Sequence, residues 1–390
     1  MGEWKEYKLG ELTIDGKGSY GIAASAVGFD VNKYTYLRIT DINDDGTINK
    51  DGLKSVDDVN ASNYLLKPND IVFARTGASV GRSYFYDGKD GEFVYAGFLI
   101  KYSIDPNKVN PKILKYYTHS QSYYDWIVSV DNGATRGNIN AQTYASMPIM
   151  LPERKRQDEI VSILSSLDDK IDLLHRENAT LEAMAETLFR QWFIEEANGD
   201  DISLGEVVKT TSGGTPSRKK EEYYCNGNVK WVKSKELHHS YILETEEKIT
   251  EDAVAYSSAK LLPENSVLIA MYGATVGEYG ILAEPMTCNQ AVCALIPNEN
   301  YPYTYLYLWA KYMQGEFINL ACGAAQQNIS QELIKQQYVS NDLKQISDFH
   351  ILVAPYMEKM KVNQEMIKTL NQMRDGLLPK LMNREVLVYG

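Results

Sequence analysis

The chain lacks the features that mark membrane proteins, disulfide-rich proteins and metalloenzymes. Its 390 residues contain no run of about eighteen consecutive apolar positions, and the amino terminus shows no charged-then-apolar signal pattern. Its 4 cysteines form no Cys-x-x-Cys pair, and its 5 histidines show no metal-ligand spacing. We therefore expect a cytoplasmic, soluble protein with reduced, mostly buried thiols and no metal of its own.

Catalytic motifs are missing as well. Gly16-Lys17-Gly18 is not a phosphate loop, because no Gly-Lys-Ser/Thr triplet with the required preceding spacing follows it. Asp168 and Asp169 fall between the apolar positions of a predicted helix, which indicates a solvated face rather than a catalytic pair. The net charge of −12 argues against a uniformly basic nucleic-acid-binding protein, so DNA contacts would have to come from local clusters of cations.

The longest regular pattern in the chain lies between residues 152 and 193. Apolar residues advance there in alternating steps of four and three, which is the heptad seam of a helix that pairs with another helix. The seam consists of Ile160, Leu164, Leu167, Ile171, Leu174, Asn178, Leu181, Ala185, Leu188 and Trp192. We predict one long helix whose partner lies in the same chain.

The second half of the chain repeats the first, at offsets that drift between 189 and 196 residues. The ordered matches join residues 7–12 with 202–207, 36–42 with 231–237, 74–81 with 270–277, 133–140 with 323–330, and 181–189 with 370–378. Each repeat contains a globular part rich in Val, Ile, Tyr and Thr, which predicts many short strands and a few helices, such as 111–126 and 302–315.

The predicted fold class is therefore α+β, with two tandem mixed α/β domains that are each followed by a long helix. The expected boundaries are 1–150 for the first globular domain, 151–198 for its helix, 199–340 for the second globular domain and 341–385 for its helix. The offset of 189 places Phe349, Val353, Tyr356, Met360, Asn363, Ile367, Leu370, Arg374, Leu377 and Leu381 on the seam of the second helix. Pro355 and Pro379 mark points where this helix could kink or end.

One asparagine interrupts each seam and sets the expected pairing of the helices. Asn178 occupies an a position and Asn363 a d position, and only antiparallel pairing places a opposite d. In the register that joins them, paired residue numbers sum to 541, and eight of the ten layers are apolar. A shift of one heptad would leave both amides facing apolar residues, at a cost of roughly 1–3 kcal/mol for each. We predict an antiparallel intramolecular coiled coil with Asn178 facing Asn363.

A tandem repeat of globular domain and long helix resembles the DNA specificity subunit of type I restriction–modification enzymes. Short phrases carry the resemblance further: residues 211–217 followed by 231–237 look like the opening of a target recognition domain, 327–330 like its close, and 377–382 like the usual C-terminal ending. The resemblance implies two target recognition domains, each reading one half of a split sequence in double-stranded DNA. It also implies helices that hold these domains apart and that dock two type I methyltransferase subunits, with restriction/translocase subunits joining for cleavage.

The same resemblance implies a non-catalytic subunit whose partners use S-adenosylmethionine, ATP and Mg. The Asn-Pro-Pro-aromatic tetrapeptide of adenine methyltransferases is missing from this sequence. About thirty helical residues would span on the order of 45 Å, somewhat more than one ~34 Å turn of B-DNA, so the helix pair is expected to fix the spacer between half-sites. The alternatives are a coiled-coil scaffold with degenerate globular domains, and a self-contained nuclease or methyltransferase, which the missing motifs disfavour.

Candidate DNA contacts lie in loops and in small-residue turns. In residues 75–82, glycines would let the backbone approach DNA, with Thr76 in the turn and Arg75 or Arg82 reaching a phosphate or a guanine edge. The repeat replaces both arginines, so the shared Gly-Ala-Ser/Thr-Val-Gly core is interpreted as a structural turn whose flanks specify sequence. Lys17 lies in a glycine-flanked loop where it could touch phosphate.

The late loops of the two domains, 133–138 and 323–328, differ in the way expected of two readers of different half-sites. The first carries Thr135, Arg136 and Asn138, and the second carries Gln326, Gln327 and Asn328. Arginine suits guanine and glutamine suits adenine, although solvated loops remain the alternative. Phosphate positioning is expected for the basic cluster of Thr215, Ser217, Arg218, Lys219 and Lys220. Arg38 and Lys233 share one repeat position and are either DNA contacts or paired structural cations.

Overall fold

A computed structural model describes residues 4–131, 138–196, 200–322 and 328–382. The chain divides into two compact units, one comprising residues 1–169 with 371–390 and the other residues 170–370. Each unit contains one globular domain together with parts of two long helices. The fold is mixed helix and sheet, as predicted.

The first domain contains two small sheets and a separate strand pair. Its strands are β1 (Lys5–Lys8), β2 (Ser19–Tyr20), β3 (Ala26–Val27), β4 (Tyr34–Leu37), β5 (Lys54–Val56), β6 (Asp70–Ala74), β7 (Ser83–Tyr86), β8 (Phe93–Tyr95), β9 (Leu99–Ser103) and β10 (Pro148–Leu151). One sheet has the order β2-β9-β6-β7 and the other β3-β5-β4-β8, in which β4 and β8 run parallel. The first strand pairs antiparallel with the last, which brings the two ends of the domain together.

The second domain shares most of this topology, with one strand more in the first sheet and one fewer in the second. Its strands are β11 (Asp201–Ser203), β12 (Lys209–Ser212), β13 (Val229–Val232), β14 (Tyr241–Ile242), β15 (Lys248–Ile249), β16 (Val267–Ala270), β17 (Tyr279–Leu282), β18 (Thr287–Cys288), β19 (Val292–Ile296) and β20 (Tyr338–Ser340). The sheets have the orders β12-β19-β16-β17-β14 and β15-β13-β18, and β11 pairs with β20. Ala74 faces Leu99 in one domain, and Ala270 faces Val292 in the other, so the repeat found in the sequence is also a repeat of strand register.

The helices are α1 (Lys112–Tyr117), α2 (Gln121–Asp131), α3 (Ala141–Ala145), α4 (Arg154–Arg190), α5 (Leu204–Val207), α6 (Glu251–Ala255), α7 (Tyr303–Cys322), α8 (Gln331–Lys335) and α9 (Leu343–Met382). The single helix predicted over 111–126 is wrong. It divides at residues 118–120, where Thr118 bonds through Oγ1 to the carbonyl of Lys115 and the chain restarts as α2. The helix predicted over 302–315 continues further than expected, to the end of α7.

Neither proline ends α9, which is continuous over 40 residues. A proline inside a helix deprives the carbonyl four residues earlier of its donor. For Pro355 that carbonyl belongs to Ile351, and for Pro379 it belongs to Asp375. Both of those residues are exposed, so water can reach the carbonyls. The first long helix, α4, is followed by a π-helical turn at Gln191–Glu195.

The long helices contribute to the core of each unit. In the first unit, Ile160 and Leu164 of α4 and Leu378 and Leu381 of α9 belong to the same buried cluster as β6 and β9. In the second unit, Ala185, Phe189 and Phe193 pack with Phe349, Val353 and residues of α7. The apolar seams therefore serve both the pairing of the helices and the cores of the globular domains.

The pairing of the helices is antiparallel and follows the expected register. Within the second unit, Ile171 and Leu174 form a buried cluster with Ile367, with Leu370 packed against it. Further along, the rings of Trp192 and Phe349 lie edge to face with centroids 5.9 Å apart. Residues of increasing number along α4 thus contact residues of decreasing number along α9, as antiparallel pairing requires.

The two seam asparagines lie in one layer. Asn363 is 0% exposed, and its Nδ2 donates to Oδ1 of Asn178 and to Oε2 of Glu177, both at 2.8 Å. Asn178 in turn directs its Nδ2 toward the carbonyl of Met360 at 3.4 Å. Because Oδ1 of Asn363 is buried without a hydrogen-bond partner, this layer holds its register at some cost in stability.

Two expectations from the sequence need correction. Asp168 does not belong to a solvated face: its side chain is 13% exposed and pairs with Lys115 at 2.7 Å and with the seam residue Arg374 at 3.2 Å. The thiols are not mostly buried, because Cys288 and Cys293 are buried but Cys225 and Cys322 are exposed. In both cases the exposure depends on tertiary neighbours that local patterns do not reveal.

Candidate nucleic-acid interface

The turn that follows β6 in the first domain has the same backbone conformation as the turn that follows β16 in the second. A short 3-10 helix covers Gly77–Ser79 in one and Gly273–Thr275 in the other. Gly77 and Gly273 have φ of 72° and 67°, and Gly81 and Gly277 have φ of 86° and 84°, a region that favours glycine. The shared core is therefore a structural turn, and the residues beside it are left to vary. We call residues 75–82 and 271–278 the strand-end turns.

The end of each late loop closes against its strand-end turn. Thr76 forms an isolated antiparallel bridge with Asn138, and the amide of Ile139 donates to the carbonyl of Arg75 at 2.9 Å. In the second domain Tyr272 forms the same bridge with Asn328, and the amide of Ile329 donates to Met271. Thr135, Arg136, Gln326 and Gln327 lie outside the described residues. Their neighbours show that late loop and turn are joined at equivalent points in both repeats.

Arg75 is held in a definite orientation beside this junction. Its Nε donates to Oδ1 of Asn138 at 3.3 Å, and its guanidinium carbon lies 5.0 Å from the ring centroid of Tyr20. Tyr20 is fixed in turn, because its hydroxyl accepts a hydrogen bond from the amide of Ala141 at 3.1 Å. The backbone amide of Arg75 bonds to the carbonyl of Phe98, whose ring is 59% exposed. The guanidinium thus lies against one exposed aromatic ring, and the backbone of Arg75 is bonded to a second exposed aromatic residue.

The second domain presents different chemistry at the same place. Register matches Arg75 with Met271, which is only 1% exposed, and Thr76 with Tyr272, which is 42% exposed. Ser212 occupies the position of Tyr20 and donates through its hydroxyl to Gln331 at 2.7 Å. At equivalent positions, the first domain therefore presents an oriented cation and the second domain an exposed tyrosine.

Arg38 and Lys233 are engaged in ion pairs at one repeat position. Arg38 donates through Nε and Nη2 to Asp41, at 2.9 and 2.5 Å. Lys233 contacts Glu246 and Glu247, and its hydrogen bond to Glu247 raises the pKa of the lysine. The carboxylate three residues later bonds to the backbone amide of each cation, which stabilises the same 3-10 turn in both domains. Both cations are thus paired within their own domain, and their contact with DNA stays a prediction.

Arg82 is engaged in a similar way. Its Nε lies 2.6 Å from Asp44, and its Nη1 donates to the carbonyl of Ile42 at 3.1 Å. These contacts tie the strand-end turn to the loop at residues 42–44, between β4 and β5, so part of the side chain is used within the domain.

The basic cluster at 215–220 is partly neutralised. Arg218 pairs with Glu247 at 2.6 Å and stacks over Tyr224 and Trp231, at 4.3 and 5.1 Å from the ring centroids. Hydrogen bonds from Arg218 and then Lys233 lower the pKa of Glu247 to about 2, so this carboxylate stays charged at neutral pH.

The remaining members of the cluster differ in how far they are engaged. Thr215 bonds to Gln290, and Lys220 donates to the hydroxyl of Tyr223 at 2.9 Å. Ser217 accepts the amide of Lys220 through its carbonyl, and Lys219 is exposed. Lys17, in the first domain, is also exposed, and its amide bonds to Asp15. Lys17 and Lys219 are suited to phosphate rather than to base edges, because no side chain in the described part of the chain orients their ammonium groups.

Sequence reasoning missed Tyr20, Phe98 and Tyr272. A usable signal existed for Tyr20, because it immediately precedes Gly21 at the end of β2, as Ser212 precedes Gly213 at the end of β12. A Cβ on either glycine would collide with backbone oxygens of the neighbouring strand segment. These glycines therefore fix the position of the residue before them.

Within the described part of the chain, no helix is both long and apolar enough to span a membrane. Over the same residues, no group of three or more His, Cys, Asp or Glu side chains is arranged to hold a metal ion.

Two mixed α/β domains that share most of their strand order, each followed by a long helix and each presenting different side chains at one shared turn, define a tandem recognition-domain protein. The family model of the type I restriction modification DNA specificity domain matches residues 1–183 and again residues 198–341. The chain therefore belongs to this family, as the sequence motifs predicted, and is a DNA sequence-specificity subunit with two target recognition domains. Such a subunit acts on DNA together with partner subunits of a complex.

Individual relatives agree with the family match. The chain is 24% identical to the HindI specificity subunit of Haemophilus influenzae, covering 99% of this chain and 100% of that one. It is 30% identical to the EcoR124I/EcoR124II specificity subunit of Escherichia coli, over 53% of this chain and 52% of that subunit. Its fold is similar to that of the type I restriction–modification S subunit of M. genitalium, with a TM-score of 0.62 and 17% identity over 97% of this chain and 96% of that one.

Proposed function

We propose that each domain reads one half of a bipartite DNA target with its strand-end turn and the late loop joined to it. The observation that carries this proposal is the repeated junction, Thr76 with Asn138 and Tyr272 with Asn328, on a backbone common to both domains. A constant frame with different exposed side chains is what two readers of unlike half-sites require.

The chain alone is expected to bind DNA weakly. Its net charge is −12, and Arg38, Arg82, Arg218 and Lys233 already pair with carboxylates. Phosphate contacts supply most non-specific affinity, so partner subunits must contribute cations. Tight, salt-sensitive binding by the purified chain would contradict this part of the proposal.

The two long helices are proposed to dock two type I methyltransferase subunits. Leu173 and Met184 lie on α4 with 49% and 45% of their surfaces exposed, and the repeat offset of 189 equates them with Val362 and Met373 on α9, exposed by 48% and 50%. Eleven residues are about three helical turns, so each pair lies on one face of its helix. Equivalent exposed apolar pairs suit two copies of the same partner.

This chain is proposed to recognise DNA, and its partner subunits are proposed to carry out the catalytic reactions. Methyltransferase subunits would bind S-adenosylmethionine, and restriction/translocase subunits would use ATP and Mg, with the assembly acting in the cytoplasm where its DNA lies. The role of the helix pair in setting the spacer between half-sites stays a prediction. Its support is the asparagine layer, which gives Asn178 and Asn363 one favoured register.

Mapping of methylated adenine in cells tests the central proposal. Deleting the chain while keeping its methyltransferase partner should abolish methylation of a bipartite motif. Exchanging residues 200–340 for those of a relative should alter one half-site and leave the other unchanged. A motif that survives deletion would favour the alternative, a coiled-coil scaffold with degenerate domains, and a change in both half-sites would refute the assignment of one domain to each.

A further inference from the structure

We propose that Arg75 is a specificity-determining residue that reads one guanine in the half-site of the first domain through its two terminal nitrogens. The second domain has no cation at the equivalent position, so its half-site lacks the corresponding arginine-read guanine. This inference rests on the proposed function, since it assigns a base to a residue of the strand-end turn.

The orientation of the guanidinium is the first argument. A bidentate contact with guanine N7 and O6 requires a planar fork in a fixed plane, whereas a phosphate accepts a cation from many directions. Asn138 engages Nε of Arg75 at 3.3 Å, and the ring of Tyr20 lies under the guanidinium at 5.0 Å. Both contacts leave Nη1 and Nη2 for a ligand while limiting the rotation of the fork.

The charge on Arg75 is the second argument. Among the described residues, no carboxylate forms an ion pair with Arg75. The two other arginines of this domain that the structure describes differ, because Arg38 donates through Nε and Nη2 to Asp41 and Arg82 donates through Nε to Asp44. Arg75 therefore combines an ordered fork with a charge that no described carboxylate neutralises.

The supports of Arg75 come from separate parts of the chain. Tyr20 ends β2, and its hydroxyl is held by the amide of Ala141. Asn138 is the residue that joins the late loop to the turn, through its bridge with Thr76. A loose surface arginine would not need two such supports, whereas a base reader benefits because ordering the side chain before binding lowers the entropy lost on contact.

The second domain supplies an internal comparison. Met271 replaces Arg75 and is buried, Ser212 replaces Tyr20 and bonds to Gln331, and Asn328 accepts from the amide of Gly273 instead of from an arginine. Two of the three members, Arg75 and Tyr20, are exchanged together, while the asparagine and the turn are kept. This joint replacement is expected if the constellation serves base choice rather than folding.

The test measures methylation of DNA duplexes by the assembled methyltransferase complex, with each base placed in turn at every position of both half-sites. The wild type should prefer guanine at one position of the half-site that exchange of residues 1–150 assigns to the first domain. Arg75→Ala should reduce that preference roughly 5- to 150-fold, the range expected for a lost bidentate contact, and should leave the other half-site unchanged.

Three further variants separate base reading from other roles. Arg75→Lys keeps the charge but loses the fork, so it should lose the guanine preference while retaining overall binding and its salt dependence. Tyr20→Phe keeps the stacking ring and should retain the preference. Lys17→Ala removes an exposed cation of the same domain and should alter no single base position.

Each outcome decides the question. Uniform loss across all sequences in Arg75→Ala, restored by Arg75→Lys, would make Arg75 a phosphate contact and overturn the inference. Unchanged base preferences in both variants would overturn it as well, while leaving a bipartite motif intact. Failure of the proposed function itself would look different, because the motif would then persist without this chain. Should Arg75→Ala fold poorly, Arg75→Lys alone carries the test.

Discussion

The paired asparagines of the coiled coil permit a quantitative test of how the helices keep their register. Replacing Asn363 with alanine removes two hydrogen bonds, one to Oδ1 of Asn178 and one to Oε2 of Glu177. It leaves Oδ1 of Asn178 without its donor, whereas Glu177 keeps Lys359 at 3.6 Å. We expect the layer to open more often in Asn363→Ala than in the wild type.

The size of the effect follows from these contacts. A neutral hydrogen bond contributes about 1 kcal/mol and one to a charged group about 1.5–3 kcal/mol. The bond to Glu177 is worth less than that range, because its side chain is 40% exposed and water can replace the donor. The sum is about 2 kcal/mol, or roughly a thirty-fold increase in the equilibrium constant for local opening.

The double replacement Asn178→Leu with Asn363→Leu should behave differently. Replacing both polar partners by apolar groups leaves neither amide unsatisfied, and the new side chains would extend the buried cluster of Leu174 and Ile367. The double variant should therefore lie within about 1 kcal/mol of the wild type, although each single leucine variant costs about 1–3 kcal/mol. Its helices lose the layer that penalises a heptad shift.

Amide hydrogen exchange across α4 and α9 is the appropriate assay. A chain with two compact units does not unfold in one step, so a global free energy of unfolding is poorly defined, whereas local opening is measurable. The control is Asn228→Ala, which removes the exposed hydrogen bond of another asparagine, to Glu251, outside α4 and α9. If the changes in opening free energy of the two single leucine variants add up to that of the double variant, the asparagines do not act as a pair and the reasoning is refuted.

Two other predictions concern the helices. Burial alone would raise the pKa of Asp168, but Lys115 and other partners hold it below 3.8, so its stabilisation is present at neutral pH and is lost as the pH falls below that value. Asp168→Asn should lower the melting temperature at pH 7 by more than Asp169→Asn does, and the gap should narrow as the pH falls below 3.8; a pH-independent gap would contradict this. Leu173→Glu with Val362→Glu should reduce co-purification of the methyltransferase subunit, whereas Val59→Glu, in a loop and 97% exposed, should not; equal recovery in all variants would exclude the proposed docking faces.

The features that could be predicted are those encoded by local periodicity or by repetition. The seams follow from a heptad spacing, and the register follows from one asparagine in each seam, so the layer of Asn178 and Asn363 required no tertiary information. The strand-end turns were recognisable because Gly77 and Gly81 recur as Gly273 and Gly277, at positions where the backbone needs positive φ.

The features that could not be predicted depend on which segments the fold brings together. Nothing near Asp168 in the sequence announces Lys115, which reaches it from α1. Likewise the support of Arg75 by Tyr20 depends on the order β2-β9-β6, which brings residues 55 positions apart in the chain to the ends of two strands on either side of β9. The turn could be located from its own glycines. The side chain stacked beside it could not be predicted, because strand order depends on the whole domain.

The same distinction explains how one chain can carry two specificities. Elements set by glycine, such as the turns at Gly77 and Gly273, are common to both repeats because a side chain there would strain the backbone. Positions beside them face no such constraint, so Arg75 can be exchanged for Met271 without altering strand register. Specificity in this protein is therefore expected to change by replacement of groups of neighbouring side chains, such as Tyr20 together with Arg75. A lone substitution of Met271 by arginine should fail to create a guanine reader, since Ser212 offers its guanidinium no ring to stack on.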